Sequence, residues 1–365
     1  MKYKSTWALM VLALTVAATQ LVLAQASYKF TTVKIPHSET TDVYGVNDSG
    51  VMTGNYTDSS GVSHCFMRAG TTVTTITDPN GIGTSCYGIN SAGAIAGGYA
   101  LEAGFSNGFV YQDGVFTDII VPTATAGTTA YGINDDGLVV GAFADNVGEH
   151  GFLFDGSSYQ TLDAPGASVT LAVGINTSNQ ITLQSVNSSG FVSAWLLDGG
   201  TYTELYVPSA VFTEVHSINN RGEIAFGWTD SSNELHGAIL ANGIYYVADD
   251  PSGTNTSIDT INDHNEIVGH FQPTGATRAT GFKGLNTPSI LGFSPPSGPV
   301  GTPVTITGTG FTQTTAVEFE TKPATFTVVS DTQVTATVPA HARTGKIKIV
   351  TPAGSATSKT SFTVD

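Results

Sequence analysis

The chain has 365 residues, a length that indicates two or three domains. Glycine occupies 42 positions and only 12% of the residues are charged, which argues against long helices and coiled coils, while 40% hydrophobic residues exclude a generally disordered chain. The formal net charge of −16 counts against a nucleic-acid partner, because such proteins usually present a basic face.

The first 26 residues have the features of a secretory signal peptide. Lys2 and Lys4 form a basic start, a long apolar stretch extends to Leu23, and residues 24–26 supply a small-x-small cleavage site. An uncleaved membrane anchor is the alternative, but polar residues within the stretch weaken a spanning helix. No later segment approaches the ~20 apolar residues that a span needs. We therefore expect a secreted protein, free or associated with the cell surface, with no membrane span after cleavage.

The segment after the signal contains an internal repeat of 43 residues. Six prolines are each 43 residues apart, and a second marker, Tyr-Gly-Ile-Asn in its typical form, runs in phase with them. The marker asparagines, spaced 43, 44, 42, 43 and 43 residues apart, are Asn47, Asn90, Asn134, Asn176, Asn219 and Asn262. Six copies span 258 residues, from Ser27 to Gly284, so the array begins at the predicted cleavage site.

Each copy predicts four short strands, which we name D, A, B and C in chain order. Strand D is typified by residues 115–120, and strand A ends at the marker asparagine. A tight turn then leads to strand B, and its fourth residue is Gly or Asn in every copy, as a hairpin with positive φ requires. Such turns account for the Asn and Asp residues there better than calcium loops, whose alternating Asp pattern and distal Glu are missing.

Strand B carries apolar residues on both faces, so we expect both to be buried. Six such four-stranded units predict an all-β fold with a six-bladed β-propeller at residues 27–284; a β-solenoid is the alternative. If D is the outer strand, the N-terminal strand at residues 28–35 completes the sixth blade. In the other phase, D-A-B-C forms one continuous blade, and the similar connection lengths leave both phases open.

The repeats resemble the HAF family of bacterial extracellular repeats. Its Gly-Ile-Asn turn and Ile-Val-Gly strand correspond to residues 131–141, its His-Gly-Phe to residues 150–152, and its last strand with Pro-Gly-Ala to residues 162–167. The resemblance covers residues 27–284, implies a secreted bacterial protein and brings no catalytic residues with it. Copies four to six depart from the pattern, for example at Leu183 and Ser217.

After a linker at residues 285–287, the composition changes to a Pro- and Gly-rich opening followed by about seven short alternating strands, which predict a small β-sandwich. Residues 288–365 resemble an IPT/TIG domain, an immunoglobulin-like fold, through residues 294–301, the Gly308-x-Gly310-Phe311 turn and residues 330–334. The resemblance implies an accessory or adhesive module. This segment is nearly neutral, whereas the propeller holds six basic and 25 acidic residues, a net charge of −19 that would concentrate cations.

The sequence shows no catalytic motif. Residues 104–108 match a nucleophile elbow, but they align with an ordinary B–C connection, whereas an elbow needs a strand-to-helix turn. His64, His150 and His236 share one repeat position at the start of strand C, which is third from the axis if D is outermost. They are then too far apart for one metal ion, with its ~2 Å bonds, so we expect structural hydrogen bonding. We expect no metal site and no cofactor.

Cys65 and Cys86 are the only two cysteines, and the repeat places them two strands apart. Export would permit a disulfide between them, but their spacing leaves a bonded and a free pair equally open.

These features favour a secreted, monomeric, non-catalytic protein that binds extracellular polysaccharide or a protein partner. The alternative is a polysaccharide-active hydrolase or lyase that uses the propeller funnel, which a carboxylate pair in the funnel would favour. We expect the ligand on the face formed by the B–C and D–A loops, because these loops vary while the hairpins are uniform. The candidate binding residues, which solvated loop charge would also explain, are Asp58, Glu102, Asp145, Glu149, Asp230 and Glu234.

Overall fold

The computed structural model describes residues 23–101 and 104–365, and its regular elements there are 34 β-strands. Most of the predicted signal peptide, residues 1–22, and the candidate residue Glu102 lie outside the described part. No helix long and apolar enough to cross a membrane occurs within those two ranges. The predicted all-β fold, a propeller followed by an immunoglobulin-like domain, is confirmed.

The strands form six four-stranded antiparallel units, which we number as blades one to six. Each blade contains strands A, B and C of one repeat and strand D of the next, and one parallel bridge between β13 and β15 joins blades three and four. Strand A lies innermost, against a cavity on the propeller axis, and strand D lies outermost. In the order A to D, the strands are β3 Ser38–Val46, β4 Met52–Asp58, β5 Ser63–Ala69 and β6 Thr72–Ile76; β7 Gly83–Ile89, β8 Ile95–Ala100, β9 Ser106–Gln112 and β10 Val115–Ile119; β11 Gly127–Ile133, β12 Val139–Ala144, β13 Glu149–Phe154 and β14 Tyr159–Leu162; β15 Ala167–Ile175, β16 Ile181–Asn187, β17 Val192–Asp198 and β18 Thr201–Leu205; β19 Phe212–Ile218, β20 Ile224–Thr229, β21 Leu235–Ala241 and β22 Ile244–Val247; β23 Gly253–Ile261, β24 Glu266–Pro273, β25 Thr280–Asn286 and β2 Tyr28–Val33.

The N-terminal strand β2 completes blade six. It pairs antiparallel with β25 over six residues, from Tyr28 opposite Asn286 to Val33 opposite Gly281. The structure therefore has strand D at the outer edge, which is the first of the two phases that the sequence left open. A short strand before it, β1 Leu23–Gln25, adds in parallel to the outer edge of blade five at β22.

The marker asparagines form a closed ring of hydrogen bonds at the hairpin end of the axis. The side-chain amide of each donates to the backbone carbonyl of the next, and Asn262 closes the ring onto Asn47 at 2.9 Å. The side-chain oxygen accepts amides of its own A–B turn, as Asn134 does from Asp136 and Leu138. One residue type thus folds the hairpin and joins neighbouring blades, which explains its recurrence in every copy.

The six fourth turn residues adopt positive φ between 58° and 83°, as the sequence predicted: Gly50, Gly93, Gly137, Asn179, Gly222 and Asn265. Between the blades, the phenyl rings of strand C are fully buried, among them Phe109 and Phe152. A glycine on strand B makes room for the ring, since a Cβ on Gly141 would lie only 2.7 Å from the Phe152 ring. Removing these apolar surfaces from water is the main force that holds adjacent blades together.

The C-terminal domain packs two sheets around a core that includes Ile306, Phe319 and Phe362. In spatial order, the strands of the first sheet are β26 Ser289–Ser294, β28 Pro303–Thr309, β32 Gln333–Thr337 and β31 Phe326–Ser330. Those of the second are β27 Ser297–Gly298, β34 Gly354–Val364, β33 Gly345–Thr351, β29 Ala316–Phe319 and β30 Lys322–Ala324. The domain contacts the hairpin end of the propeller, where the Gln313 amide donates to the Glu266 carboxylate at 2.8 Å.

Candidate functional site

The three candidate aspartates of the B–C loops each fold their own turn. Asp58 Oδ1 accepts the amides of Ser60 and Val62 at 2.8 and 3.0 Å. Asp145 and Asp230 accept two turn amides in the same way. The pKa of all three carboxyls lies below the usual range, through the bond with His64 for Asp58 and through the turn amides for the other two. Their oxygens are therefore largely committed to loop structure.

The three recurring histidines stand beside these aspartates, one on each of blades one, three and five. His64 Nε2 lies 2.9 Å from Asp58 Oδ2, and its ring stacks on Tyr56 with 5.0 Å between centroids. His236 stacks on Trp228 at 4.6 Å and bonds through Nδ1 with Asp249 at 2.8 Å.

His150 bonds with Asp163 in the corresponding way, at 2.9 Å. In the described ranges, no group of three or more His, Cys, Asp or Glu side chains is arranged to hold a metal ion. The three histidines thus have local hydrogen-bonding partners in separate blades.

The candidate glutamates are dispersed. Glu149 and Glu234 are half-buried on blades three and five, and burial raises the pKa of Glu149. Within the described ranges, Glu149 makes no hydrogen bond or ion pair with another candidate residue; it pairs with Val169 of blade four through the backbone. No binding constellation forms from this set in the described part of the chain.

A cavity of about 370 Å³ lies on the propeller axis, and residues of all six blades line it. Ligand pockets in proteins typically have 300–1,000 Å³, so the cavity has room for a ligand of roughly monosaccharide size. It extends from the third residue before each marker asparagine to the exposed hairpin turns. Its deepest ring consists of Tyr44, Tyr87, Tyr131, Val173, His216 and Asp259.

Tyrosines from blades one to three form one wall of the cavity. The rings of Tyr44 and Tyr87 lie 5.6 Å apart between centroids, and those of Tyr87 and Tyr131 lie 5.1 Å apart. Burial raises the pKa of all three hydroxyls, so they remain protonated. Among the described residues, the hydroxyls of Tyr44 and Tyr131 make no side-chain hydrogen bond, which leaves them able to bond with a ligand.

The opposite wall, from blades five and six, is a carboxylate between two imidazoles. Asp259 is 6% exposed; its Oδ2 lies 2.9 Å from His270 Nδ1, and its Oδ1 lies 3.9 Å from His216 Nδ1. Burial by itself would lower the pKa of His270, but the carboxylates of Asp259, Asp42 and Glu214 raise it to about 9. His270 is therefore a cation at neutral pH and balances part of the buried negative charge.

This wall also brings a serine next to a histidine and an aspartate, since Ser257 Oγ lies 3.3 Å from His216 Nε2. Ser257 is only 1% exposed, and it packs against Gly227 of the neighbouring blade. A nucleophile has to reach its substrate. The arrangement is therefore a buried hydrogen bond, not a catalytic triad.

The mouth of the cavity lies at the hairpin end and is acidic. Three of the six residues that follow the marker asparagines are carboxylates, namely Asp48, Asp135 and Asp263. Neighbouring blades hold them in place: Asp135 accepts two bonds from Ser91 at 2.8 and 3.0 Å, and the Asp263 amide donates to Asp48 at 2.9 Å. The cavity thus opens at the end opposite the B–C and D–A loops.

Sequence reasoning missed this site, although a signal was available. The position three residues before the marker reads Tyr, Tyr and Tyr, then Val, His and Asp. Alignment of the repeats shows these substitutions, but only the ring closure places the last copies opposite the first.

The structure joins Cys65 and Cys86 in a disulfide, with 5.3 Å between their Cα atoms. The bond connects strand C of blade one to strand A of blade two, so it fastens two neighbouring blades.

Comparison with known proteins agrees with this architecture. Residues 288–364 match the family model of the IPT/TIG domain. Among solved structures, TolB from Acinetobacter baumannii is similar with a TM-score of 0.50 and 11% identity, over 84% of this chain and 65% of that chain. The six-bladed β-propeller lectin of Aleuria aurantia, with fucose recognition, gives 0.42 and 14%, over 69% and 93%.

The propeller domain of the trilobed protease from Pyrococcus furiosus gives a TM-score of 0.45 and 9% identity, over 68% and 84% of the two chains. A search of curated proteins finds no match. At these identities the similarities concern the fold alone. The sheet topology and the family match together define the class of protein: a β-propeller joined to a C-terminal IPT/TIG domain.

Proposed function

We propose that the protein is a binding protein that takes a small polar ligand, a saccharide unit in our first choice, into the axial cavity. The observation that carries the proposal is the cavity itself, which has a volume of about 370 Å³. Three tyrosines on one side of it face the pair of Asp259 and His270 on the other. Aromatic faces can pack against the C–H surface of a sugar ring, while carboxylate and imidazole groups bond with its hydroxyls. Such a mixture of apolar lining and a few placed polar groups is typical of ligand sites.

Export supports an extracellular ligand. The signal-like N-terminus, the disulfide and the resemblance to HAF-type extracellular repeats are all consistent with a secreted or surface-associated protein that acts as a monomer. The IPT/TIG domain would serve as an accessory or adhesive module next to the hairpin end of the propeller.

The second candidate is the polysaccharide-active enzyme, and one observation favours it. Asp42 lies near Asp259 and His270, and burial raises the pKa of its carboxyl. Two neighbouring carboxyl groups, one of them with a raised pKa, resemble the acid and base pair of glycoside hydrolysis.

The test is a glycan screen followed by calorimetry with the best ligand. We expect Tyr87→Ala to weaken binding about tenfold or more, since it removes the middle of the aromatic wall. Tyr206→Ala is the matched control, because Tyr206 is 60% exposed and lies outside the cavity lining. If Glu149→Gln with Glu234→Gln abolishes binding while Tyr87→Ala does not, the ligand occupies the loop face and the axial proposal fails. Release of shorter saccharides, lost in Asp42→Asn, would establish the enzyme.

A further inference from the structure

The charges around the axial cavity carry an inference about its ligand, which rests on the proposed function. We infer that the ligand is an organic ammonium ion: a molecule of about monosaccharide size that bears a protonated amine, as an amino sugar does. The described residues that line the cavity include four carboxylates and two histidines but no Lys or Arg. Even with His270 protonated, the lining is strongly negative.

The mouth provides the first argument. Asp48, Asp135 and Asp263 come from three different repeats, and the chain fixes the orientation of each through bonds from the neighbouring hairpin. Each carboxylate oxygen accepts more than one hydrogen bond, so all three retain capacity for a ligand N–H. Like charges placed around one opening repel one another, and Asp263 and Asp135 contribute to the raised pKa of Asp48, after burial. A bound cation would relieve that repulsion.

The floor provides the second argument. Asp259 is almost fully buried and bonds closely with only one of its two imidazole neighbours, because His216 Nδ1 is 3.9 Å away. Asp42 and Glu214 add further negative charge near the same place. An ammonium group that reaches this depth would meet a carboxylate in surroundings that screen the attraction less than water does.

The tyrosine wall provides the third argument, since it is independent of the carboxylates. A cation within about 6 Å of an aromatic ring is attracted to the ring face, and tyrosine is among the rings that bind ammonium groups. Three adjacent tyrosines beside carboxylates therefore suit an organic cation better than they suit an anion or an inorganic ion. Within the described ranges, no three His, Cys, Asp or Glu side chains are arranged to chelate a metal ion, so a bare metal ion is a poorer match.

Calorimetry on the full mature chain tests the inference with three probes: the β-1,4-linked trimer of glucosamine, its fully N-acetylated counterpart, and putrescine. The acetylated trimer has the same sugar backbone with acetyl groups in place of the charges, and putrescine has the charge without the sugar. The variant is Asp135→Asn at the mouth, and the matched control is Asp113→Asn, which removes an equally exposed charge from the outer turn between β9 and β10.

We expect the glucosamine trimer to bind, and its binding to weaken about threefold in Asp135→Asn, which is the effect of one charge about 6 Å away in nearly aqueous surroundings. Asp113→Asn should not change its affinity. Added salt should weaken binding as well. Binding of putrescine with the same dependence would also support the inference and identify a free amine as the source of the cation.

Three results overturn it. If the acetylated trimer binds as tightly as the free amine and Asp135→Asn has no effect, the charge inference fails. A loss of that binding in Tyr87→Ala would still support the axial site. If none of the three probes binds, or if binding survives Tyr87→Ala, the charge inference fails; in the second case the axial site fails with it.

Discussion

Replacing one marker asparagine by aspartate isolates the bond that joins neighbouring blades. In Asn134→Asp, one oxygen can still accept the turn amides of Asp136 and Leu138, now at 3.1 and 2.9 Å. The other oxygen replaces the amide that donates to the Asn176 carbonyl at 3.1 Å. The hairpin therefore keeps its bonds, while the inter-blade contact becomes two acceptors facing each other.

The cost follows from burial, because Asn134 is only 4% exposed. Leaving a buried carbonyl without its donor costs about 1–3 kcal/mol, and placing a partly desolvated carboxylate against it adds to that. We expect a loss of about 2–4 kcal/mol at neutral pH, or roughly 5–15 °C in the melting temperature of a domain this large. Since the introduced carboxyl would have a raised pKa, its protonated form could donate again and the loss should shrink at acidic pH.

Asn187→Asp is the matched control. Asn187 accepts two turn amides in the same way, from Ser189 and Phe191, but it lies in the B–C turn and makes no inter-blade bond with any described residue. Blades one and five already carry aspartate at this position, as Asp58 and Asp230, so we expect a change within about 0.5 kcal/mol. Denaturant titration followed by tryptophan fluorescence compares the two. Equal stability of both variants would show that the ring bonds do not hold the blades together.

Three further predictions concern the same architecture. Deleting residues 28–35 should remove the outer strand of blade six and lower the thermal transition, and an unchanged transition would contradict closure by that strand. Cys65→Ser with Cys86→Ser should cost about 3 kcal/mol for a loop of 21 residues, measurable against the oxidised protein, and no loss would show that the bond is dispensable. The pKa of His270 is raised to about 9, so its protonation stabilises the folded protein. This contribution to the free energy of unfolding is complete below the reference value of 6.5 and disappears as the pH rises through 9. Stability should therefore fall by up to about 3 kcal/mol over that interval, and His270→Gln should remove this dependence; a histidine that titrates near 6.5 by NMR would refute it.

The propeller was predictable because its marker residues serve needs that every blade shares. Each hairpin needs a residue that tolerates positive φ, so Gly or Asn recurs there, as at Gly137 and Asn179. Each buried phenyl ring needs space on the neighbouring strand, so Gly141 faces Phe152. A requirement that recurs in all six blades produces a periodic pattern in the sequence. The order of strands within a blade produces no such pattern, and only the pairing of β2 with β25 in the structure determines it.

The role of the B–C aspartates could not be predicted in the same way. A carboxylate that accepts its own turn amides and one that waits for a ligand have the same sequence, because the difference lies in a local geometry of a few ångströms. Asp145 illustrates this, with its oxygen 2.7 Å from the Val147 amide. Variability of a loop therefore indicates where binding is tolerated, but it does not show that the loop's charges are free.

Departures from the repeat were the better guide to the site, once the ring is closed. At the third position before the marker, the common residue is tyrosine, and a channel of six tyrosines would present one kind of surface all round. The chain instead places His216 and Asp259 on blades five and six, opposite Tyr44, Tyr87 and Tyr131. Neither residue is needed for the blade, since blades one to three form the same four strands without them. In a closed ring of repeats, the residues that recur in every copy maintain the fold. Residues that depart from the repeat and cluster around the axis are the ones that would recognise a ligand.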